Sequence, residues 1–416
     1  MFIRLLIFFV IIVLIELYFF QIVKTISVDY TPGKRKIIYT IAYSLAALNI
    51  LIGGVAIFYP QSDWSTFFRV LYSIGFIILI CKFLGIIFLF LDDVIRLFRW
   101  IGSYFQSKPA DATEVTHHIS RLKFLSYVGL TFTVVPAISF IYGMVKGAYK
   151  YRVHKVKVKS PNLPEAFNGF KIVQLSDIHT GSFLSTEPLV TAFNIVMDQK
   201  PDMILFTGDL VNNESAETTP HLESYKMLKA PYGVYSCLGN HDYGDYKEWE
   251  SREAKIKNLE DLKDVHASSG WRLLMNEHVP IEKDGQKIAL LGIENWGGNL
   301  RFPRYGKLEN AHAGTESYPF KILLSHDPSH WDVQVSQEKK YKDIDLTLSG
   351  HTHGMQFGIE IPGFKWSPVQ YIYKHWAGLY RQDNQYLYVN RGLGFLGYPG
   401  RLGIWPEITV IELERA

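Results

Sequence analysis

Cysteine is scarce in this sequence, and its scarcity limits the chemistry that the chain can perform. The 416 residues include two cysteines, Cys81 inside an apolar run and Cys237 in a more polar region. The polar region therefore cannot close a disulfide within itself. We expect neither cysteine-based catalysis nor a thiolate-rich metal site, whereas the redox compartment stays open.

A strong net charge is also lacking. The 43 Lys and Arg residues nearly balance the 40 Asp and Glu residues, and the formal net charge is +3. A surface that binds nucleic acid normally carries a much larger excess of positive charge. We therefore expect no nucleic-acid partner, and the sequence contains neither an internal repeat nor a low-complexity tract.

Long apolar segments are abundant in the first third of the chain. Four of them approach the ~20 residues that a helix needs to cross the hydrocarbon layer of a bilayer. They cover residues 2–22, 37–59, 67–90 and 124–144. Buried soluble core is the alternative, but the segment lengths and the near absence of charge in three segments favour membrane spans. No small-residue cleavage site follows the first segment, so we expect a retained helix rather than a signal peptide.

The predicted organisation is a transmembrane helical region at residues 1–147 followed by a soluble domain at residues 148–416. Lys and Arg cluster after the first and third segments, and the positive-inside rule places those loops in the cytoplasm. With four spans, the soluble domain then lies on the extracytoplasmic side of the cell membrane. The basic residues within 146–159 argue for the opposite side, and one span more or fewer would reverse the prediction.

Strands alternate with helices in the soluble domain, which predicts an α/β sandwich. Further strands are predicted at residues 153–159, 287–293, 386–390 and 408–413, and helices at residues 187–199, 221–228 and 252–266. Five more apolar runs look like buried strands that each end in a polar turn, at residues 170–175, 202–206, 233–238, 321–324 and 344–348. Because strand ends in such folds meet at one edge, we expect these five turns to form one site.

The five turns supply carboxylates, imidazoles and one amide, and no thiolate. Their sequences are Asp177-Ile178-His179, Gly208-Asp209, Gly239-Asn240-His241-Asp242, Ser325-His326-Asp327-Pro328 and Gly350-His351-Thr352-His353-Gly354. These ligand types suit manganese, iron or zinc. One catalytic zinc takes about three protein ligands, and this set is about twice as large. A pair of divalent metals is therefore favoured, with Asp209 able to bridge them, and such a pair clamps a phosphoryl group.

The motifs DIHTG, GDLVNN, GNHD, SHDP and GHTHG occur in that order, which resembles the calcineurin-like metallophosphoesterase superfamily. The late segment Asn390-Arg-Gly-Leu-Gly394, followed by Arg401 and Pro406-Glu407, resembles the closing signature of its membrane-anchored branch. The resemblance covers the chain from about Phe170 to its end, and five motifs in order make it highly specific. It implies a four-layer α/β/β/α sandwich around two mixed sheets and two divalent metal ions.

The resemblance also implies a role for each motif residue. The first metal would be held by Asp177, His179, Asp209 and His353. The second would be held by Asp209, Asn240, His326 and His351, with Asp209 shared between the two. His241 would act on the leaving oxygen without binding metal, and Asp242 would hydrogen-bond and orient His241.

Three features leave alternatives open. Relatives often carry a second Asp after the GD pair, where this chain has Asn212 and Asn213, which contact substrate or shape the loop. Arg391 and Arg401 either bind a substrate phosphate or pair with neighbouring carboxylates. The aromatic-rich segment 357–380 forms a lid or groove that meets lipid, or packs as an ordinary long loop.

The resemblance implies a membrane-anchored hydrolase of a phosphodiester or pyrophosphate bond, with a lipid-linked substrate as the expectation. Some membrane-anchored relatives cleave the pyrophosphate of UDP-2,3-diacylglucosamine, but that substrate requires a cytoplasmic active site. A non-catalytic membrane sensor or scaffold is the alternative, and it predicts lost metal ligands, of which none is missing. Transport through the helices is a third hypothesis, for which Glu16 and Lys82 are the few charges that could mark a pathway.

Overall fold

A computed structural model of the protein describes residues 2–58, 66–103, 121–298 and 302–416. The chain forms two compact units, Met1–Tyr142 and Gly143–Ala416. The polar composition of residues 102–118 predicts a loop there, and most of this stretch, including His117 and His118, lies outside the described residues.

The first unit consists of long apolar helices. They are α1 (Phe2–Ser27), α2 (Pro32–Phe58), α3 (Thr66–Ser103) and α4 (Arg121–Val145), whose last residues belong to the second unit. All four are long and apolar enough to cross a membrane, by length and composition. The 38 residues of α3 span about 57 Å, well beyond the ~30 Å hydrocarbon layer. The helix therefore continues past its apolar segment into a charged stretch, where Asp92 pairs with Arg121 at 2.6 Å.

An ion pair lies among these helices. The Lys82 ammonium lies 2.6 Å from the Glu16 carboxylate, and both residues are buried. The side-chain amide of Asn49 donates a hydrogen bond to the same carboxylate at 3.0 Å. The two charges therefore neutralise each other, which is how ionisable groups are usually tolerated inside a helical bundle.

We expect Lys82→Met to destabilise the protein by about 3–5 kcal/mol, because it leaves the buried Glu16 carboxylate without its counter-charge. The free energy of unfolding would be measured on the purified protein in detergent. The double variant Glu16→Gln/Lys82→Met removes both charges and should recover most of the loss. A double variant as unstable as the sum of the two single variants would show that the pair contributes no coupling.

The second unit is built on two six-stranded mixed sheets. The strands of the first sheet, in spatial order, are β1 (Arg152–Ser160), β14 (Glu407–Arg415), β2 (Lys171–Leu175), β3 (Met203–Phe206), β4 (Val234–Ser236) and β5 (Trp271–Leu273). Those of the second sheet are β12 (Gly378–Gln382), β13 (Gln385–Val389), β9 (Leu346–Ser349), β8 (Lys321–Leu324), β7 (Gln286–Gly292) and β6 (Glu277–Lys283). The central strands of each sheet are parallel, so their carboxyl ends lie at one edge.

Alternation along the buried strands divides the core into layers. Ile172 of β2 and Ile322 of β8 share the cluster between the sheets, whereas Val173 points to the opposite face of the first sheet. The outer face of the first sheet packs against α5 (Glu187–Asp198), α6 (Leu222–Tyr225) and α7 (Arg252–Ser268). The outer face of the second sheet packs against α8 (Leu308–His312) and the segment Trp331–Val335. The predicted α/β/β/α sandwich is confirmed.

Several elements differ from their predicted form. The helix predicted at 221–228 is a 3₁₀ segment, Ser215–His221, followed by the single turn of α6. The edge strand β6 was not predicted, because Pro280 and charged residues interrupt its apolar pattern. The segment after GHTHG contains a short antiparallel hairpin, β10 (Ile359–Ile361) and β11 (Phe364–Trp366), whose strands are too short to show periodicity.

Candidate metal centre

The loops after five parallel strands bring the predicted metal ligands together. Those that follow β2, β3 and β4 belong to one sheet, and those that follow β8 and β9 belong to the other. Two clusters form, and within each cluster the ligand atoms all lie within 4.8 Å of one another. They are Asp177, His179 and His353 in the first cluster, and Asp209, His326 and His351 in the second. The seventh predicted ligand, Asn240, adjoins the second cluster, with its amide oxygen 2.8 Å from His351 Nδ1.

The Asp209 carboxylate lies between the two clusters. Its Oδ2 atom is 3.5 Å from His179 Nε2 of the first cluster and 3.1 Å from His326 Nε2 of the second. The other carboxylate oxygen, Oδ1, accepts a hydrogen bond from the backbone N–H of His241 at 2.9 Å. This bond fixes the carboxylate with one oxygen facing both clusters, which is the geometry that a bridging ligand requires.

The backbone at the site is strained. Positive φ angles occur at five of the seven predicted ligands, namely Asp177 (50°), His179 (49°), Asp209 (59°), His351 (71°) and His353 (50°). Asp and His tolerate this left-handed region better than most residues do, at a cost of about 1–3 kcal/mol each. The sharp turns direct side chains from neighbouring strand ends to one point.

Two glycines allow the loops to approach the carboxylates closely. A Cβ atom at Gly239 would overlap the Asp209 carboxylate, and a Cβ atom at Gly350 would overlap the Asp177 carboxylate. The absence of a side chain at these positions is therefore required by the geometry of the site.

Groups around the clusters hold the imidazole rings in place. His326 Nδ1–H donates to the Thr207 carbonyl at 2.6 Å, which leaves its Nε2 atom free to face Asp209. His351 Nε2 lies 2.7 Å from the Tyr373 hydroxyl, so its Nδ1 atom faces Asn240. Such partners fix the orientation of the ring and the nitrogen that it presents to a metal.

The chemistry of the clusters fits bound cations. In the part of the chain that the structure describes, the buried Nε2 atoms of His179 and His353 find no hydrogen-bond partner, although each faces a carboxylate. Burial lowers the pKa of His179 to about 3, so this ring is neutral and able to act as a ligand. Burial alone would lower the pKa of His326, but Asp209 raises that pKa to about 10. Asp209 therefore favours an adjacent positive charge, which either a proton on His326 or a metal cation supplies.

His241 lies beside the first cluster and is half-buried. Its Nδ1–H donates to the backbone carbonyl of Asn212 at 2.7 Å, and its ring meets that of His179 edge-to-face at 5.0 Å. The ring of Tyr246 lies beside that of His241, with a centroid distance of 4.6 Å. His241 Nε2 is thus the nitrogen that can serve a substrate.

The prediction that Asp242 orients His241 is wrong. The buried Asp242 carboxylate accepts hydrogen bonds from the backbone N–H groups of Asp209 (2.8 Å), Leu210 (2.8 Å), Gly239 (2.9 Å) and Val211 (3.3 Å). The Asn212 carbonyl orients the imidazole instead. Asp242 therefore supports the turn that carries Asp209. This role depends on backbone N–H donors, so it could not be predicted from residue types in the sequence.

For Arg391 and Arg401, the structure favours a structural role over contact with a substrate phosphate, because both side chains are buried. Arg391 pairs with Glu407 at 2.5 Å, as the alternative interpretation held, and also with Glu360. Arg401 donates to the carbonyls of Gly394 and Arg391, and its guanidinium lies 3.1 Å from His353 Nδ1. Both arginines consolidate the loops behind the site.

Glu407 predicts a pH dependence of stability. Burial would raise its pKa, but Arg391 beside it, together with hydrogen bonds from Thr409 and Tyr388, lowers the pKa to about 2 from 4.5. Because the folded-state pKa is the lower one, the stabilisation is complete above about pH 4.5 and is lost as pH falls towards about 2. We expect Glu407→Gln to destabilise the protein by about 3–5 kcal/mol near neutral pH, because Arg391 loses a buried counter-charge.

The difference in unfolding free energy between parent and Glu407→Gln should shrink between about pH 4.5 and about pH 3. Thermal unfolding followed by circular dichroism in detergent measures it. Glu338→Gln, which removes an exposed carboxylate paired with Lys340, is the matched control and should change little at any pH. A pH-independent difference for Glu407→Gln would contradict the lowered pKa.

Three aromatic residues near the site were not assigned to it from the sequence. The hydroxyl of Tyr246 accepts from the Asn240 amide at 2.9 Å, and that of Tyr373 contacts His351. Phe302 meets the His351 ring edge-to-face at 4.9 Å. Tyr373 falls within the aromatic-rich segment 357–380, so the composition gave a partial signal there, whereas nothing distinguished Tyr246 from an ordinary loop tyrosine.

Comparison with known proteins gives matches over both units. A family model described as "Probable Calcineurin-like phosphoesterase, transmembrane domain" matches residues 2–148, and one described as "Calcineurin-like phosphoesterase" matches residues 170–355. The chain is 32% identical over 290 residues to a "Transmembrane protein with metallophosphoesterase domain" from Danio rerio, over 68% of this chain and 62% of the relative. The chain thus spans less than two-thirds of the length of that relative.

Two bacterial relatives are covered more fully. The metallophosphoesterase YkuE of Bacillus subtilis is 32% identical over 262 residues, which is 62% of this chain and 83% of YkuE. The phosphodiesterase YaeI of Escherichia coli is 25% identical over 300 residues, which is 71% of this chain and 99% of YaeI.

Proposed function

We propose, from the premise that this chain belongs to the calcineurin-like metallophosphoesterase family, that it hydrolyses a phosphodiester or pyrophosphate bond of a lipid-linked substrate. One observation carries the proposal. A single Asp209 oxygen faces two buried clusters of acidic and imidazole ligands, as a bridge between two divalent metals would. The relative YaeI is named a phosphodiesterase, which supports the reaction class.

We assign the metals to the two clusters. Asp177, His179 and His353 would hold one ion, and His326, His351 and Asn240 the other, with Asp209 shared. Carboxylate, imidazole and amide ligands suit manganese, iron or zinc. When bound, the pair supplies a nucleophilic water at neutral pH and neutralises the charge that develops on the phosphoryl oxygens.

Residues of the chain would position the phosphoryl group and protonate the leaving oxygen. Asp209 and Asp177, together with their imidazole partners, fix where a phosphoryl group can lie, and the Asp242 hydrogen bonds keep the Asp209 turn from relaxing. His241 is half-buried, and its Nε2 atom would donate a proton to the leaving oxygen. The Asn212 carbonyl holds the His241 ring in the orientation that this transfer needs.

The membrane unit supports a lipid-linked substrate. Four helices that are long and apolar enough to cross a bilayer precede the catalytic unit in the same chain. The distribution of Lys and Arg between the loops supports an extracytoplasmic catalytic unit. On that side the substrate would be an exported lipid phosphodiester or pyrophosphate rather than UDP-2,3-diacylglucosamine.

Hydrolysis of bis(p-nitrophenyl) phosphate by the full-length protein in detergent tests the reaction class. We expect turnover with added manganese, its loss with a chelator, and its return when metal is restored. Elemental analysis of the active protein should give about two metal ions per chain. The Asp177→Asn variant, purified in the same way, controls for contaminating phosphatases.

The alternative of a non-catalytic sensor or scaffold makes a different prediction. A folded protein that binds two metal ions per chain but hydrolyses neither phosphodiesters nor pyrophosphates would favour it. A protein that binds no divalent metal would contradict the proposed hydrolase function.

A further inference from the structure

In the β10–β11 hairpin, the apolar side chains face outward and the charged pair contacts the body of the unit. This arrangement is the reverse of the one that is usual at a surface in water. Ile361 pairs with Phe364 and Ile359 pairs with Trp366, so these four side chains share one face of the hairpin. Ile359, Ile361 and Phe364 are 50%, 58% and 53% exposed. The other face carries the Glu360–Lys365 pair, which is turned towards the body of the unit.

Charged contacts fix this orientation. Glu360 pairs with the buried Arg391, and Arg391 in turn pairs with Glu407. The Lys365 ammonium donates to the Ala377 carbonyl and the Tyr380 hydroxyl. The apolar face is therefore held outward by ion pairs and hydrogen bonds, and it cannot turn inward without breaking them.

The base of the hairpin lies beside the end of α4. The backbone N–H of Gly358 donates to the Leu402 carbonyl at 3.0 Å, and the backbone N–H of the neighbouring Arg401 donates to the Gly143 carbonyl at 3.1 Å. Gly143 is within α4, whose preceding residues form a candidate membrane span. The loop that supports the hairpin therefore contacts the first residue of the second unit, in a helix that is long and apolar enough to cross a membrane.

We propose that the outward face of the β10–β11 hairpin, formed by Ile359, Ile361, Phe364 and Trp366, docks into the lipid bilayer and delivers lipid-linked substrate to the metal centre. Apolar side chains gain free energy on leaving water for the acyl boundary. Tyr371 and Ile372, which follow the hairpin, are 77% and 63% exposed. Tyr and Trp are the residues that bilayer interfaces favour, which supports lipid rather than a protein partner.

Both ends of the hairpin segment lead to the metal centre. The predicted ligand His353 precedes β10, and Tyr373, which follows β11, contacts the predicted ligand His351. A docked hairpin would bring the metal centre, to which it is joined at both ends, towards the lipid headgroups. A scissile phosphoester could then reach the metals while its acyl chains stay in the bilayer. The substrate part of this inference rests on the proposed hydrolase function, whereas docking itself does not.

Fluorescence of the full-length protein in nanodiscs of phosphatidylcholine and phosphatidylglycerol tests docking without any reference to activity. An environment-sensitive fluorophore is attached at Ile361→Cys and, separately, at Phe364→Cys. The native Cys81 and Cys237 are buried and should not react. Ile256→Cys is the matched control, because Ile256 is also an exposed isoleucine, 52% accessible, on α7.

We expect doxyl lipids to quench the label at 361 or 364 at least about threefold more than the label at 256, and aqueous iodide to show the reverse order. Equal iodide access at the hairpin and at residue 256 would overturn the proposal.

Two substrates with the same scissile group test delivery, namely methyl p-nitrophenyl phosphate in solution and hexadecyl p-nitrophenyl phosphate in vesicles of those lipids. We expect the double variant Ile361→Ser/Phe364→Ser to lose about tenfold or more of its turnover of the hexadecyl ester, with methyl ester turnover within about twofold of the parent. Ile256→Ser should leave both unchanged. Equal losses on the two esters would overturn the delivery role. If the parent hydrolyses neither ester, the proposed function fails, and the fluorescence result still decides docking.

Discussion

Asp209→Asn is expected to lower the rate of bis(p-nitrophenyl) phosphate hydrolysis by about a thousandfold or more, the scale seen when a central member of a catalytic unit is removed. The reason is geometric. Asp209 Oδ2 faces His179 of one cluster at 3.5 Å and His326 of the other at 3.1 Å, so an amide there weakens both metal sites together. An amide also lacks the negative charge that two adjacent cations need.

The rate is measured with saturating manganese, alongside the metal content of the purified variant. Asp343→Asn is the matched control, because it removes a carboxylate that pairs with His312 and Lys321, outside the two clusters. Thermal unfolding should show that both variants are folded. An Asp209→Asn variant that keeps two ions and more than about a tenth of the parent rate would refute the bridging assignment.

His241→Ala is expected to lower kcat by about 10²- to 10⁴-fold for a phosphodiester with an alkyl leaving group, the range for loss of a general acid. With p-nitrophenol as the leaving group, the loss should be much smaller, because this group departs without needing a proton. Dependence on the leaving group separates proton donation from simple electrostatic binding of phosphate, which would affect both substrates alike.

The measurement is kcat for a matched pair of esters, one alkyl and one p-nitrophenyl, with parent and variant. His278→Ala is the control, because His278 also donates its Nδ1–H to a backbone carbonyl, that of Ala311, outside the clusters. Metal content should stay at the parent value, since His241 belongs to neither cluster. Equal losses on the two esters would exclude His241 as the acid.

The strained backbone at the site explains why its supports are so extensive. Five left-handed non-glycine residues among the predicted ligands cost stability that the surrounding contacts must offset. The Asp242 carboxylate, with four backbone donors, and the buried Arg391–Glu407 pair are such contacts. Substitutions at these supports should therefore affect stability and metal binding together, whereas changes at His241 should affect turnover alone.

Much of the fold could be predicted because its signals are local. Apolar length identified four helices, and short apolar runs such as Lys171–Leu175 and Lys321–Leu324 identified central strands. Edge strands gave weaker signals, since β6 carries charge and a proline, and β10 and β11 are three residues each. The end of α3 was misjudged because helical structure continues after the apolar pattern stops.

The sequence by itself determined which residues could form the site. Each predicted ligand lies in the turn that follows a strand, and a Gly, Asp or His in such a turn is a local feature of the sequence. Only the tertiary structure decided which partner each group has. Asp242 binds backbone N–H groups of a turn 33 residues earlier in the chain, Arg401 lies behind His353, and the hairpin turns its apolar face outward. These contacts depend on long-range packing and on backbone N–H donors, which every residue except proline carries, so the residue types in the sequence do not predict them.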